Sequence, residues 1–488
     1  MEIFLPAVLG ELATRSVSFV INKYSKLPVQ AMEINLERIL LRAQVIVEEA
    51  EGRHITNQGL LRQLRMLRDA MYQGFYVLDT LRFRAFQEDG AGDNKVRNYS
   101  WALSKFSYAK RLCLSSSGSS TKASQELVAE NVLDNLRTMI LDAGESVMFF
   151  TSYPRLGRQP YNMHILLGNC MFGRQMEMEL ILHFLLYTQP CSGRHDRFDV
   201  LPIVGPAICG KSTLVAHVCN DERVRDHFSQ IAFFRHGTFR DEDIDILTDQ
   251  RTMRLEKQRK LLIVFEVVGE LNDDLWRSLY SLSRKCTTSG SKIIITSRSD
   301  KITKLGTTQT TTLKHLPYEA FWYFFKVITF GSTDPKMHPR LAYLAMEISK
   351  MMNGSLISAN VIGGLLRNNF SIQYWCKILK FLRESVEKSI SMHGEHPCDL
   401  LAKNKSWYFR RLGTTTEDVF ISSHYQTCSS QEELPEITAQ DVVYGGVKPQ
   451  GAFKALAWKS PLPPYRCYIN IYEIQQLQTR LVKKRRSE

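Results

Sequence analysis

The stretch LPIVGPAICGKSTLVAHV, Leu201–Val218, constrains the fold more than any other part of the chain. Within it, Gly205, Gly210, Lys211 and Ser212 satisfy the pattern G-x-x-x-x-G-K-[ST]. An apolar run precedes this loop and a helix-like segment follows it. The order of strand, tight loop and helix predicts a parallel sheet whose first strand ends at a phosphate-binding loop, and it argues against a coincidental turn.

Such a loop wraps around phosphate oxygens, so that its backbone N–H groups and the start of the next helix face the anion. Lys211 is predicted to reach the outer phosphates, and the Ser212 hydroxyl is predicted to bind Mg²⁺. Residues 206–209, Pro-Ala-Ile-Cys, lack the glycines that allow positive φ without cost, although the motif permits any residue there. The motif therefore predicts a bound nucleotide. The candidate cofactor-binding residues are Gly205, Cys209, Gly210, Lys211, Ser212, Thr213 and Arg298.

In a second apolar run, KLLIVFEVV, the four apolar residues 262–265 lead to a carboxylate, Glu266, which with Ser212 forms the predicted Mg²⁺ site. The next residue is Val267, which can neither accept a proton nor orient a water molecule. General-base assistance contributes about 10²–10⁴-fold to a rate, so we predict at most a slow ATPase and assign no catalytic residue. Arg298 follows a third run, SKIIITSRS, where it either contacts the terminal phosphate or is a surface arginine at a strand end.

Helical periodicity dominates elsewhere. Apolar residues recur at steps of three and four in INLERILLRAQVIVEEAE and LLRQLRMLRDAMYQGFYVLDTLRF near the start of the chain. RLAYLAMEISKMMNG and IQYWCKILKFLRESVEKSI follow the predicted sheet and also read as helices. The serine-rich stretch 115–124 reads as a loop, and the region from Pro397 is mixed and weakly patterned.

Composition narrows the class of protein. The 488 residues carry a net charge of +13, but the basic residues are spread along the chain, which argues against a nucleic-acid partner. Ten scattered cysteines without a CxxC pair indicate a reducing compartment. No apolar run is long enough for a membrane span, so we expect a cytoplasmic protein. The terminal KKRR, residues 483–486, leaves a nuclear location open, although such a run is more often a solvated tail.

Taken in order, the motifs resemble the NB-ARC module of plant intracellular immune receptors of the coiled-coil NLR class. The resemblance covers about residues 1–370, and its motifs are CMFGRQMEMELILHFLL, GPAICGKSTLVAHV, HFSQIAFFRH, LLIVFEVVGELNDDLW, GSKIIITSR, HLPYEAFWYFFKVITFG and NGSLISANVIGGLL. The first of these is the family's entry motif, with Gly173 and Arg174 in place. The resemblance implies a multidomain α and α/β protein: a four-helix bundle, a P-loop NTPase sheet with flanking helices, and a helical ARC-like domain.

The expected domains are an N-terminal helical domain (1–114), a linker and helix (115–165), the nucleotide-binding domain (166–330), an ARC1-like domain (331–396) and a divergent C-terminal region (397–488). The chain departs from the family at four points. Val267 replaces the second aspartate of the family's kinase-2 strand. Ser355 replaces the proline of the Gly-Leu-Pro-Leu motif, no Met-His-Asp motif follows, and no leucine-rich repeat follows. We therefore expect a truncated or divergent member.

Three functions stay open from the sequence. The first, implied by the resemblance, is an ADP/ATP switch in plant defence that controls exposure of the helical N-terminal domain to other immune receptors or host proteins. The second is a slow ATPase. The third is a nucleotide-free scaffold or decoy that acts by protein–protein interaction.

Overall fold

The computed structural model describes residues 29–83, 122–155, 171–187, 199–235, 260–267, 276–277, 280–281, 290–403, 405–412, 417–428, 433–447, 449, 451–462 and 465–476. The described residues divide into two compact units: the first contains residues 29–81 and those from 122 to 320, and the second contains residues 82–83 and those from 321 onward. The N-terminal helices and the predicted nucleotide-binding sheet therefore belong to one unit. The finer domain boundaries given above remain predictions.

Three long helices represent the N-terminal region among the described residues: α1 (Val29–Glu51), α2 (Gln58–Arg82) and α3 (Lys122–Phe150). Each buries one apolar stripe, which the periodicity predicted for α1 and α2. On α1 the stripe consists of Met32, Leu36, Leu40, Ala43, Val47 and Ala50. Gly74 allows close packing, because a Cβ there would lie 2.6 Å from the Leu40 side chain. Helix α3 begins at Lys122, so residues 122–124 are helical where the sequence predicted a loop; residues 115–121 of that predicted loop lie outside the described residues.

A five-stranded parallel sheet forms the rest of the first unit. Its strands are β1 (Asp199–Val204), β2 (Gln230–Arg235), β3 (Leu261–Glu266), β4 (Lys292–Ser297) and β5 (Thr311–Thr312), in the order β2-β3-β4-β1-β5. Strands β1, β3 and β4 match the three predicted apolar runs, and β2 lies within the motif HFSQIAFFRH. The core residues of β1, β3 and β4 fall into two separate apolar clusters, as expected for strands buried on both faces.

Short helices flank the sheet: α4 (Gln175–Leu186) before β1, then α5 (Lys211–Cys219) and α6 (Glu222–His227) between β1 and β2. The sequence predicted one helix where α5 and α6 lie. The break occurs because the Asp221 carboxylate accepts a hydrogen bond from the Arg223 backbone N–H and caps the start of α6. A 3₁₀ helix (Asp300–Leu305) follows β4.

Helices form the first half of the second unit. Helix α7 (Tyr318–Phe330) leads into it, and α8 (Pro339–Lys350), α9 (Leu356–Asn368) and α10 (Ile372–His393) follow. Trp375 is completely buried, and its indole N–H donates to the carbonyls of Leu366 and Asn369 at 3.0 Å each. These elements confirm the helical region that the resemblance implies.

The residues after Pro397 contain an antiparallel sheet that the sequence analysis did not predict. After α11 (Pro397–Ala402), strands β6 (Trp407–Arg410), β7 (Glu417–Cys428), β8 (Ala452–Lys459) and β9 (Arg466–Gln476) form the order β6-β7-β9-β8. Helix α12 (Ala439–Tyr444) buries Val442 against this sheet. A capping box between Thr438 and Asp441 fixes the start of α12.

Candidate phosphate-binding site

The loop between β1 and α5 adopts a tight turn that depends on specific backbone conformations. Gly210 has φ +93°, and Ile208 has φ +58°, in the left-handed region that β-branched residues rarely enter. At Gly205 a Cβ would lie 2.5 Å from the Leu313 carbonyl oxygen, so only glycine fits there. The loop therefore forms without a glycine at position 208, but at a cost in conformational energy.

Lys211 lies inside this loop. Its Nζ donates to the carbonyl oxygens of Gly205 and Pro206, both at 2.7 Å, and lies 3.8 Å from the Cys209 Sγ. Burial lowers the pKa of Lys211, an effect that the nearby Cys209 partly opposes. Two backbone oxygens thus hold the ammonium group at the position from which it would meet a phosphate.

Ser212 and Glu266 meet at the carboxyl edge of the sheet. The Ser212 hydroxyl donates to the Glu266 carboxylate, which joins the first turn of α5 to the end of β3. The predicted Mg²⁺ ligands are therefore adjacent. No cluster of three or more His, Cys, Asp or Glu side chains with metal-ligand geometry occurs in the part of the chain that the structure describes. Any Mg²⁺ there would need phosphate oxygens or water as further ligands.

Val267 faces away from the site. Its side chain is only 5% exposed and belongs to the apolar cluster with Phe265 and Ile295, while its backbone N–H donates to Thr296. Because successive side chains of a strand point to opposite faces, Glu266 and Val267 cannot both face the loop. The chain therefore lacks a second carboxylate at this position, and the local backbone would not direct one toward Ser212.

The remaining predicted site residues lie in the same region. Arg298 is exposed just after β4, close enough to Lys211 to disfavour the charged form of the lysine. Thr213 follows Ser212 in the first turn of α5 and is half-buried. Cys209 is buried, and its carbonyl oxygen accepts a hydrogen bond from Arg174. Their contacts with a nucleotide remain predictions.

Arg174 is the residue of this site that the sequence analysis underestimated. It is 4% exposed, and its Nη2 donates to the carbonyl oxygens of Cys209 at 3.2 Å and Lys314 at 2.5 Å. Its Nη1 lies 3.6 Å from the Glu177 carboxylate. Burial lowers the pKa of Arg174, and Glu177 partly offsets this effect. Its position beside Gly173 in the entry motif was the available signal, but spacing alone cannot reveal which carbonyls it contacts.

The residues present fit a nucleoside diphosphate or triphosphate. A glycine cradle at Gly205, a half-buried ammonium group at Lys211 and the N-terminus of the nine-residue helix α5 converge on one loop. Backbone amides at a helix start favour anions, and a lysine at this position adds a full positive charge. With the adjacent Ser212 and Glu266, the arrangement can hold phosphate groups together with one divalent cation.

Curated proteins with similar sequences are plant disease resistance proteins. The disease resistance protein RGA2 of Solanum bulbocastanum is 24% identical over 351 residues, which cover 66% of this chain and 33% of that protein. The putative disease resistance protein RGA1 of the same species is 27% identical over 225 residues, covering 42% and 22%. A putative disease resistance RPP13-like protein 1 of Arabidopsis thaliana is 23% identical over 409 residues, covering 78% and 37%.

The chain thus spans between 22% and 37% of the length of these curated relatives. No protein-family model matches it. The structure of Drosophila ORC bound to DNA covers 45% of this chain and 63% of its own at 12% identity, but a TM-score of 0.23 is too low to support an argument. No described helix is long and apolar enough to cross a membrane. The curated relatives confirm the resemblance to plant NLR-type disease resistance proteins.

Proposed function

We propose that this chain, a plant NLR-type protein with a role in defence, is a switch whose bound ADP or ATP controls the exposure of its helical N-terminal region. The observation that carries the proposal is the convergence of Gly205, Lys211, Ser212 and Glu266 at the end of β1. The similarity to disease resistance proteins adds the biological setting. The partners would be other immune receptors or host proteins that bind the N-terminal helices, in the cytoplasm and in the nucleus if KKRR acts as an address.

In this proposal each group at the loop has a distinct task. Backbone N–H groups between Gly205 and Ser212 bind the phosphate oxygens, and the Lys211 ammonium exchanges two carbonyl partners for the outer phosphate. Ser212 and Glu266 would hold Mg²⁺, which neutralises phosphate charge when bound. Arg298 supplies a second positive charge from the exposed side of the sheet edge.

Binding rather than turnover would set the conformation. Val267 packs in the apolar core, so no side chain next to Glu266 on β3 can act as a general base. Without that assistance hydrolysis falls by a factor of about 10²–10⁴, which leaves a long-lived nucleotide complex. A nucleotide shifts an equilibrium between two states only by its difference in affinity for them. The slow ATPase thus remains as a side reaction of the switch.

The test is nucleotide binding by the purified full chain. We expect calorimetry to detect ADP and ATP binding in the presence of Mg²⁺, and we expect nucleotide to raise the unfolding temperature by mass action. Lys211→Ala should abolish both effects. Ser212→Ala and Glu266→Gln should reduce the dependence of affinity on Mg²⁺.

Lys304→Ala is a matched control for Lys211→Ala, because Lys304 is exposed in the 3₁₀ helix of the same unit. This variant should keep wild-type affinity. A folded wild-type chain that binds neither ADP nor ATP would refute the switch and favour the scaffold that acts by protein contacts alone. An ATP turnover rate that reached the range of base-assisted enzymes would instead favour the ATPase.

A further inference from the structure

We infer that a chain of three charged side chains, Arg65–Glu177–Arg174, couples the phosphate loop to helix α2 of the N-terminal region. The inference rests on the proposed function, because it names how the nucleotide site would be linked to the helices that it controls. It assigns positioning roles to two residues outside the loop, Arg65 and Glu177. The relevant atoms all belong to the first compact unit.

The first step is the contact of Arg174 with the loop. Its guanidinium group donates to the Cys209 carbonyl oxygen at 3.2 Å and to the Lys314 carbonyl oxygen at 2.5 Å, so it ties the loop to the segment that follows β5. A trans peptide unit points its C=O and its N–H in opposite directions. Holding the Cys209 carbonyl therefore directs the Gly210 N–H to the side of the peptide away from Arg174.

The second step is the carboxylate that balances Arg174. Glu177 lies one turn further along, with its side chain 3% exposed, 3.6 Å from the Arg174 guanidinium and 3.3 Å from that of Arg65. Its second oxygen, Oε2, is buried without a hydrogen-bond partner among the described residues. Glu177 is thus shared between an arginine that touches the phosphate loop and an arginine of the N-terminal region. A change in the position of Arg65 or Arg174 therefore alters the electrostatic environment of the other.

The third step is the packing of α2 around this carboxylate. Arg65 projects from α2, and one turn later Arg68 approaches the Gly173 carbonyl oxygen at 3.5 Å. Tyr72, a further turn along, packs against Phe172 with the two rings tilted at 42° and their centroids 5.4 Å apart. One face of α2 therefore covers the segment directly before α4. Movement of α2 away from that segment would remove Arg65 from Glu177.

These contacts predict a reciprocal effect. If docking of α2 favours the loop geometry that binds phosphate, then bound nucleotide must favour docking of α2 by the same factor. Arg65 is 39% exposed, so its ion pair is screened and the expected change is small. We expect Arg65→Ala to weaken ADP binding about two- to fivefold. Glu177→Gln, which leaves Arg174 buried without its counter-charge, should weaken it about tenfold or more.

The experiment is a double-mutant cycle on ADP affinity in the full chain, with amide hydrogen exchange of α2 as a second measurement. In the double variant, Arg65→Ala should add nothing to Glu177→Gln, because the route from Arg65 to the loop passes through Glu177. Saturating ADP should slow exchange in residues 58–82 of the wild type and lose this effect in Arg65→Ala. If Arg65 only stabilises α2, Arg65→Ala should speed the exchange of α2 by the same factor with and without ADP.

Arg62→Ala is the matched control, because Arg62 is an exposed arginine on the same helix three residues earlier. Arg62→Ala should leave the ADP affinity and the ADP-dependent exchange of α2 unchanged. Arg65→Lys, which keeps the positive charge, should lose less ADP affinity than Arg65→Ala. If ADP binds to the wild type and slows the exchange of α2, but both single variants keep the wild-type affinity and the same slowing, the coupling is refuted while the switch stands. If ADP binds but leaves the exchange of α2 unchanged in the wild type, both the coupling and the control of the N-terminal helices are refuted. Absence of any ADP binding by the folded wild type would refute both.

Discussion

Because Ile208 has a left-handed backbone conformation, we predict that glycine is more stabilising than alanine at this position, the reverse of the usual order. At ordinary positions, replacing alanine by glycine destabilises a protein by about 0.5–1 kcal/mol, because glycine loses more backbone freedom on folding. At φ +58° the order should reverse. An L-residue costs about 1–2 kcal/mol there, and glycine does not. We therefore predict that Ile208→Gly is more stable than Ile208→Ala.

The expected difference follows from these two values. Relief of the left-handed conformation contributes about 1–2 kcal/mol, and the extra freedom of glycine in the unfolded chain subtracts about 0.5–1 kcal/mol. The net advantage of the glycine variant is about 0.75 kcal/mol, within a range of about 0–1.5 kcal/mol. Both variants lose the half-buried Ile208 side chain, so its packing cancels in the comparison. In a unit of this size, 1 kcal/mol corresponds to an unfolding temperature about 2–4 °C higher.

Thermal and urea-induced unfolding of the two variants would measure this difference. Ala207→Gly is the matched control, because Ala207 precedes Ile208 in the same loop and does not have a positive φ. That change should destabilise by about 0.5–1 kcal/mol. If Ile208→Gly were less stable than Ile208→Ala by the same margin, the reasoning about the loop conformation would be wrong.

Three further predictions concern the same sheet edge. Gly205→Ala places a Cβ 2.5 Å from the Leu313 carbonyl oxygen and should cost about 1–3 kcal/mol in urea unfolding together with most of the ADP affinity. Val267→Asp buries an uncompensated carboxylate in the apolar cluster; it should destabilise by about 3–5 kcal/mol without raising ATP turnover, and a faster turnover would contradict the assigned orientation. Burial lowers the pKa of His217, with Asp221 partly opposing, so the unfolded chain binds a proton first as pH falls below about 6.5. The free energy of unfolding should therefore be highest above that pH and decrease as the pH falls through the lowered pKa of the folded state. His217→Leu should make the free energy of unfolding less dependent on pH in denaturation measured from pH 5 to 7.5.

The parallel sheet could be predicted from the sequence for a physical reason. Strands buried on both faces require continuous apolar runs, and β1, β3 and β4 each contain one. The carboxyl ends of such strands meet at one edge, which is why Ser212, Glu266 and Arg298 share a region although they are far apart in the chain. A motif that fixes a strand, a loop and a helix in order leaves little freedom for its local fold.

Other features depend on information that spacing does not carry. The left-handed backbone of Ile208 and the contact between Arg174 and the Cys209 carbonyl arise from tertiary packing, which overrides local preference. The antiparallel sheet after Pro397 has shorter and more mixed apolar patterns, and its register depends on pairing between β7 and β9. At Ser355 the expected proline is absent, and the serine hydroxyl instead accepts a hydrogen bond from the Ser358 backbone N–H at the start of α9.

The two carbonyl bonds of Lys211 have a consequence for the thermodynamics of the loop. An incoming phosphate does not simply add an ion pair, since the lysine must first leave the Gly205 and Pro206 oxygens. Binding is then an exchange of hydrogen-bond partners by Lys211. The binding enthalpy is the difference between the contact of the lysine with phosphate and its contacts with the two carbonyl oxygens. Removing this side chain would weaken the attraction for the anion, and it would also remove the two hydrogen bonds that hold the turn together from within.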